Sequence, residues 1–146
     1  MGRLKTGDQA PAFSLQDQDG RTVKLSDFLG GKLLLYFYPR ADTPGCTTQA
    51  CSIRDAMPEF DGLGIKAVGV SPDDPRRLKK FAVKYGLGFP LLSDPGHRTA
   101  EAYGTWGALG IIRSSFLIDE QGRVVQAWYK VSPKNTVPFA REALGS

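Results

Sequence analysis

Cysteine and histidine are scarce in this chain of 146 residues, which has only Cys46, Cys51 and a single histidine, His97. A structural zinc site needs four Cys or His ligands, so these three residues alone do not make one. A chain of this length buries enough apolar surface to fold without disulfides. Two cysteines in a reducing compartment are more often catalytic or inert than structural, so the cysteines are candidates for chemistry.

Long apolar runs are also missing. The longest covers residues 33–38, whereas a helix that crosses a bilayer needs about 20 apolar residues. Residues 1–5 carry charges with no apolar stretch behind them, unlike a secretory signal. We therefore expect a cytoplasmic protein without a membrane partner.

Motifs for nucleotides, metals and nucleic acids are absent as well. The net charge of +4 comes from scattered Lys and Arg residues, whereas nucleic-acid binders usually concentrate positive charge on one face. Neither a G-x-G-x-x-G after a strand nor a P-loop pattern occurs. These observations predict no cofactor, no metal site and no nucleic-acid partner.

Predicted strands and helices alternate along the chain. An Asp19-Gly20 turn predicts an N-terminal β-hairpin, and the apolar run 33–38 predicts a strand buried on both faces. Further elements are expected at 65–70 (strand), 75–85 (helix), 115–118 and 124–128 (strands), and from 135 or 136 to 144 (helix). This order predicts an α/β protein with a thioredoxin-like fold, a central mixed sheet flanked by helices, and a single domain over residues 1–146.

Residues 39–51 carry the strongest chemical signal. They follow a buried strand and open a helix, the position where α/β folds place their ligand sites. Thr43 is expected as the helix cap and Pro44 in the first turn, and Pro58 should end the helix near Met57. Cys46 would then lie in the first turn, where free backbone N–H groups and the helix dipole favour a thiolate.

The spacing of the cysteines constrains any disulfide between them. On one intact helix, five residues give a rise of about 7.5 Å and leave the two Cα atoms about 8–9 Å apart. A disulfide needs about 4.4–6.8 Å. Either Cys51 is a bystander, or the helix unwinds locally during the reaction, and the spacing alone leaves both possibilities open.

The pattern Pro39-x-x-x-Thr43-x-x-Cys46 resembles the active-site motif of the peroxiredoxins. Longer blocks are similar to the bacterioferritin-comigratory-protein, or peroxiredoxin Q, subgroup of that family. These blocks are residues 7–13, 36–39, 43–47, 50–51, 54–55, 70–73 and 113–119. The resemblance therefore extends over almost the whole chain.

This resemblance implies a thiol-dependent peroxidase that reduces hydrogen peroxide and organic hydroperoxides in antioxidant defence. Cys46 is similar to the peroxidatic cysteine, which becomes a sulfenic acid. Cys51 is similar to the resolving cysteine, which would close an intramolecular disulfide that thioredoxin or a similar dithiol reduces. The subgroup also implies a monomer or a weak dimer.

Three further site residues follow from the same resemblance. Thr43 is similar to the threonine that contacts the peroxide and the thiolate, and Pro39 to the proline that shields the site from water. Arg113 is similar to the arginine that stabilises the thiolate and orients the peroxide. Gln49 stands where many peroxiredoxins have glutamate, which removes a carboxylate that could have held Arg113.

Three alternatives compete with this interpretation. A protein thiol–disulfide oxidoreductase is disfavoured because the chain lacks a C-x-x-C motif and has no proline at residues 111–114, where thioredoxins carry a cis-proline. A peroxide sensor would oxidise Cys46 once and stall, whereas a peroxidase turns over with reductant. A protein with inert cysteines would show only slow thiol reactivity.

Overall fold

The computed structural model describes residues 2–145 and is built from strands and helices in alternation. Its strands are β1 (Ser14–Gln16), β2 (Thr22–Lys24), β3 (Lys32–Phe37), β4 (Ile65–Ser71), β5 (Leu91–Ser93), β6 (Trp106–Gly107), β7 (Gly110–Ile111), β8 (Ser114–Ile118) and β9 (Val124–Trp128). Its helices are α1 (Pro44–Gly62), α2 (Pro75–Tyr85), α3 (Arg98–Ala102) and α4 (Thr136–Gly145), and a short 3-10 helix covers Leu25–Phe28.

Seven of these strands form one mixed sheet in the order β2-β1-β5-β4-β3-β8-β9. Strands β3, β4 and β5 are parallel to one another, whereas β8 runs antiparallel to β3 and β9 antiparallel to β8. The hairpin of β1 and β2 joins the sheet through an antiparallel contact with β5. The expected mixed sheet with an N-terminal hairpin is confirmed.

Strand β3 lies inside the sheet, between β4 and β8, and contributes side chains to both hydrophobic cores. Because side chains alternate along a strand, Leu34 and Tyr36 pack on one face with α1, α2 and α4, and Leu35 and Phe37 pack on the other. Helix α3 contributes Ala100 to the second core. The sheet is therefore covered on both faces, and the carboxyl end of β3 leads directly into the loop before α1.

Helix α2 has the bounds predicted from the sequence, but the predicted end of α1 near Met57 is wrong. Helix α1 continues through Pro58 to Gly62. An interior proline removes one backbone hydrogen bond, but packing of the helix outweighs this loss. Ile53, Ala56 and Phe60 are buried on both sides of Pro58 and hold the helix against the sheet.

Strands β6 and β7 form a separate two-stranded hairpin that was not predicted. Each strand has only two residues, which is too short for an alternating pattern to be visible in the sequence. Among residues 2–145, no helix combines the length and apolar character needed to cross a bilayer.

Candidate active site

Cys46 is the third residue of α1, beyond the carboxyl end of β3, as the sequence predicted. Its side chain is 1% exposed, and both Cys46 and Cys51 are free thiols. The first N–H groups of a helix lack partners within the helix, and together with the helix dipole they favour negative charge. The fold therefore places a buried sulfur at the amino end of a helix, beyond the carboxyl end of β3.

Thr43 occupies the N-cap position of α1, as the sequence predicted, but its side chain does not bond to the first turn of the helix. The residue is extended, with φ −99°, and its side chain makes no capping hydrogen bond. Its hydroxyl donates instead to the carbonyl oxygen of Arg40, at 2.7 Å. The turn 40–43 thus fixes the hydroxyl on the loop, and the first turn of α1 is left without a side-chain cap.

Arg113 brings a permanent positive charge to Cys46. It lies directly before β8, and its Nη2 is 3.4 Å from the sulfur of Cys46, while its Nη1 donates to Oε1 of Gln49 at 2.6 Å. The fixed fork of the guanidinium allows these two contacts at once. The structure thus brings together Cys46 and Arg113, which lie 67 residues apart in sequence.

Gly45 makes this approach of Arg113 possible. A Cβ atom at position 45 would lie 3.1 Å from Nη2 of Arg113 and 3.3 Å from Cγ of Pro133. Such contacts are tighter than side chains normally make, so a larger residue would displace the guanidinium. Glycine at this position therefore follows from the site geometry.

Gln49 anchors Arg113 in place of the carboxylate that is missing from the sequence. Its buried amide accepts from Arg113 and donates through Nε2 to Oγ1 of Thr136, at 3.0 Å. Thr136 Oγ1 in turn lies 2.9 Å from Oγ of Ser115. Sequence reasoning noted Gln49 but missed Thr136 and Ser115, because nothing local to residues 115 and 136 reveals that they meet.

Tyr36 lies on β3 beneath the two cysteines. Its hydroxyl is fully buried and has no hydrogen-bond partner among residues 2–145, and burial raises the pKa of Tyr36 well above its ordinary value. Negative charge on Cys46 or Cys51 would raise this pKa further, whereas Arg113 lowers it. A Cβ at the neighbouring Gly69 would lie 2.9 Å from the hydroxyl oxygen, so glycine there makes room for Tyr36, which stays a neutral phenol.

The loop that carries Pro39 and Thr43 is tied to the start of α2. The carboxylate of Asp73 accepts from the backbone N–H of Ala41 at 2.7 Å and pairs with Arg77 at 3.1 Å. Pro39 itself is exposed, two residues beyond the end of β3.

The side chain of Asp42 links the same loop to the end of α2. Its backbone has φ +61°, a left-handed conformation that aspartate tolerates better than most residues. Its carboxylate accepts from Lys84 at 3.0 Å and from the hydroxyl of Tyr85 at 3.0 Å. These two bonds hold the pKa of Asp42 below its usual value.

Cys51 lies on the same continuous helix as Cys46 and is half-buried. The helix is intact between them, so helical geometry keeps their Cα atoms about 8–9 Å apart, beyond the reach of a disulfide. The structure is therefore a form in which the two thiols cannot bond.

The chain is similar in sequence to known proteins over most of its length. The chain is 50% identical to a "Putative peroxiredoxin bcp" of Haemophilus influenzae over 143 residues, which covers 92% of each chain. It is 50% identical to "Peroxiredoxin Bcp" of Escherichia coli over 132 residues, which covers 85% of each chain.

Among solved structures, Peroxidoxin BcpB from Mycobacterium tuberculosis superposes with a TM-score of 0.91 at 37% identity, covering 98% of this chain and 97% of the other. The Xanthomonas campestris bacterioferritin comigratory protein, described for its alkyl peroxide reduction activity, gives a TM-score of 0.87 at 35% identity, covering 91% and 90%.

The fold and the site together define a thiol peroxidase with a thioredoxin-like fold, as the sequence predicted. The pattern of the AhpC/TSA family matches residues 6–127. The chain belongs to this family, and its relatives are peroxiredoxins of the bacterioferritin-comigratory-protein, or peroxiredoxin Q, kind.

Proposed function

We propose that the protein works by a two-cysteine cycle in which Cys46 attacks the hydroperoxide and Cys51 resolves the product. The observation that carries the proposal is the 3.4 Å contact between the guanidinium of Arg113 and the sulfur of Cys46 in the first turn of α1. A cation and a helix N-terminus at one sulfur favour the thiolate, which is the nucleophilic form.

In the first step, the Cys46 thiolate attacks one oxygen of ROOH and the O–O bond breaks. Cys46 becomes a sulfenic acid, and the leaving oxygen takes up the equivalent of the proton that Cys46 released on ionisation, giving water or an alcohol. Arg113 stabilises the negative charge as it moves from sulfur to the leaving oxygen. The Thr43 hydroxyl, fixed on the turn before α1, contacts the peroxide, and Pro39 limits the access of water.

In the second step, the first turns of α1 unwind and the Cys51 thiol condenses with the sulfenic acid. The products are an intramolecular disulfide and water. Pro44 and Gly45 at the start of the helix, followed by Thr47 and Thr48, give this segment modest helical stability. Unwinding is needed because the intact helix holds the two Cα atoms too far apart.

In the third step, a dithiol of the thioredoxin type reduces the disulfide by thiolate exchange, and α1 refolds. The proposal takes residues 1–146 as one functional domain, since the helix and loops that carry its residues pack on one seven-stranded sheet. It also places the protein in the cytoplasm, where a reducing environment keeps Cys51 available as a thiol. A monomer is sufficient, because both cysteines and Arg113 come from one chain.

The test is peroxide consumption coupled to thioredoxin, measured on the wild type, Cys46→Ser and Cys51→Ser. We expect no turnover for Cys46→Ser, and for Cys51→Ser turnover that stops after one equivalent of peroxide. If Cys51→Ser turns over as fast as the wild type with the same reductant, Cys51 is a bystander and the enzyme works with one cysteine.

A further inference from the structure

Gln49 lies within the segment of α1 that has to unwind, three residues after Cys46 and two before Cys51. Its side chain is fully buried. The amide is held on both sides, since Oε1 accepts from Arg113 at 2.6 Å and Nε2 donates to Thr136 at 3.0 Å. The helix cannot open between the cysteines without breaking these two bonds.

Thr136 is the fixed end of this attachment. It is the first residue of α4, is fully buried, and lies within hydrogen-bond distance of Ser115 on β8. Ser115 stands directly opposite Tyr36 on the interior strand β3. The partner of Gln49 is thus anchored in the rigid part of the fold, outside the segment that moves.

We propose that Thr136 is a positioning residue that latches α1 closed, and that its hydrogen bond to Gln49 sets the rate at which the helix opens for disulfide formation. The inference rests on the proposed two-cysteine cycle and adds to it the group that controls its second step. Thr136 does not touch the reacting atoms, so it acts through Gln49.

The hydrogen bond between Gln49 and Thr136 stabilises only the closed state of α1. With α1 closed, the Gln49 amide is buried and depends on Thr136 as its acceptor. With α1 open, the amide reaches water and needs no protein partner, while Thr136 keeps its hydrogen bond to Ser115. Removing the threonine oxygen therefore leaves an unpaired buried donor in the closed state alone, which is a substantial destabilisation.

The opening rate decides between two fates of the Cys46 sulfenic acid. If α1 opens first, the sulfenic acid and the Cys51 thiol form a disulfide and water. If a second hydroperoxide arrives first, it transfers an oxygen to the sulfenic acid, giving a sulfinic acid and an alcohol or water, and this product is not reduced by a dithiol. A tighter latch therefore makes Cys46 more sensitive to excess peroxide.

The test compares the wild type with Thr136→Val, which keeps the shape of the side chain and removes its oxygen. Each protein is mixed with a series of hydrogen peroxide concentrations, quenched after one turnover and analysed by intact mass for disulfide and sulfinic acid. We expect the peroxide concentration that gives half sulfinic acid to rise on the order of tenfold in Thr136→Val. Hydrogen exchange of the amides in residues 45–51 should become faster in the same variant.

Val137→Ala is the matched control, because Val137 is the buried neighbour on α4 and makes no bond to Gln49. This variant should lower the melting temperature but leave the half-oxidation concentration within about twofold. An unchanged or lower concentration in Thr136→Val, or an equal rise in Val137→Ala, would overturn the proposal.

Cys51→Ser separates failure of the latch from failure of the cycle. If the wild type forms no disulfide and oxidises like Cys51→Ser, the two-cysteine cycle is wrong. The latch is then decided by hydrogen exchange alone, where equal rates over residues 45–51 in the wild type and in Thr136→Val would contradict it.

Discussion

Helices α1 and α2 begin alike and differ in how their first turns are secured. Each follows a parallel strand of the sheet and has proline as its first residue. In α2 the side chain of Asp74 accepts from the backbone N–H of Arg77 at 2.8 Å, and the helix ends at Gly86 in the left-handed conformation. In α1 the residue at the cap position, Thr43, makes no such bond.

This difference in capping corresponds to different roles of the two first turns. A side-chain cap satisfies one of the free N–H groups of the first turn and stabilises the helix there. The uncapped turn of α1 leaves its N–H groups and dipole available to the Cys46 sulfur. It is held by contacts made from outside the helix, through Arg113 and through the bond of Gln49 to Thr136. Such a turn is suited both to binding an anion and to opening.

The largest effect is expected at Arg113. Arg113→Ala removes the charge beside the Cys46 sulfur, and we expect kcat/KM for hydrogen peroxide to fall about 100- to 1,000-fold, as when one donor to a developing anion is lost. Stopped-flow measurement of peroxide consumption checks this. Arg123→Ala serves as the control, because that exposed arginine bonds to Gly7 away from the site.

Arg113→Lys tests whether the positive charge alone accounts for the role of Arg113. Lysine keeps the charge but cannot present two donors at a fixed spacing to Cys46 and Gln49. Its kcat/KM should therefore lie well below that of the wild type. A rate equal to the wild type would mean that charge alone matters and that the fork to Gln49 does not.

A smaller effect is expected when a methyl group is added to the first turn of α1. In Gly45→Ala the new Cβ meets Arg113 at 3.1 Å and Pro133 at 3.3 Å, so the guanidinium must shift. We expect kcat/KM to fall on the order of tenfold, without a drop in melting temperature, because alanine favours helix.

Gly62→Ala, at the other end of α1, is the matched control, because the added Cβ has no neighbouring atom within 4 Å among the described residues. It should leave the peroxidase rate unchanged. If Gly45→Ala is as active as the wild type, the close approach of Arg113 to the helix is not needed for the reaction.

The comparison of the two cap positions is tested directly by Thr43→Val and Asp74→Ala. Loss of the Asp74 cap should lower the free energy of unfolding by about 1 kcal/mol and leave turnover nearly unchanged. Thr43→Val should do the opposite, lowering kcat/KM about fivefold with little loss of stability. Chemical denaturation and peroxidase assays on both variants measure the four values, and a large loss of stability in Thr43→Val would contradict the account.

The smallest effect concerns the loop between β3 and α1 at low pH. The pKa of Asp42 is lowered by its bonds to Lys84 and Tyr85, so ionised Asp42 stabilises the folded state. This contribution is complete above the usual aspartate pKa, near 3.8, and is lost as the pH falls through the lowered value. Asp42→Asn should therefore melt slightly below the wild type at pH 7, and the difference should disappear in strong acid.

Sequence reasoning was most successful where the signal is local. The bounds of α2 follow from Pro75, the apolar positions of one helix face and the stop at Gly86, all within twelve residues. The position of Cys46 in a first helical turn follows from Thr43 and Pro44. These features depend on neighbours in the chain, which a single sequence contains.

It failed where distant residues decide the outcome. Helix α1 passes Pro58 because Ile53 and Phe60 are buried against the sheet, and packing outweighs the loss of one hydrogen bond. The Thr43 hydroxyl turns to Arg40 instead of the helix. The contacts of Gln49 with Arg113 and Thr136 span 64 and 87 residues, and no local pattern predicts them.

The central claim is that the uncapped turn of α1 makes Cys46, and not Cys51, the thiol that meets the peroxide. The most direct test adds one equivalent of hydrogen peroxide to Cys51→Ser and to Cys46→Ser and follows the intact mass over seconds. The account predicts that Cys51→Ser gains the mass of one oxygen at Cys46 while Cys46→Ser stays unchanged. If Cys46→Ser is oxidised at Cys51 at the same rate, the first turn of α1 confers no special reactivity and the account is wrong.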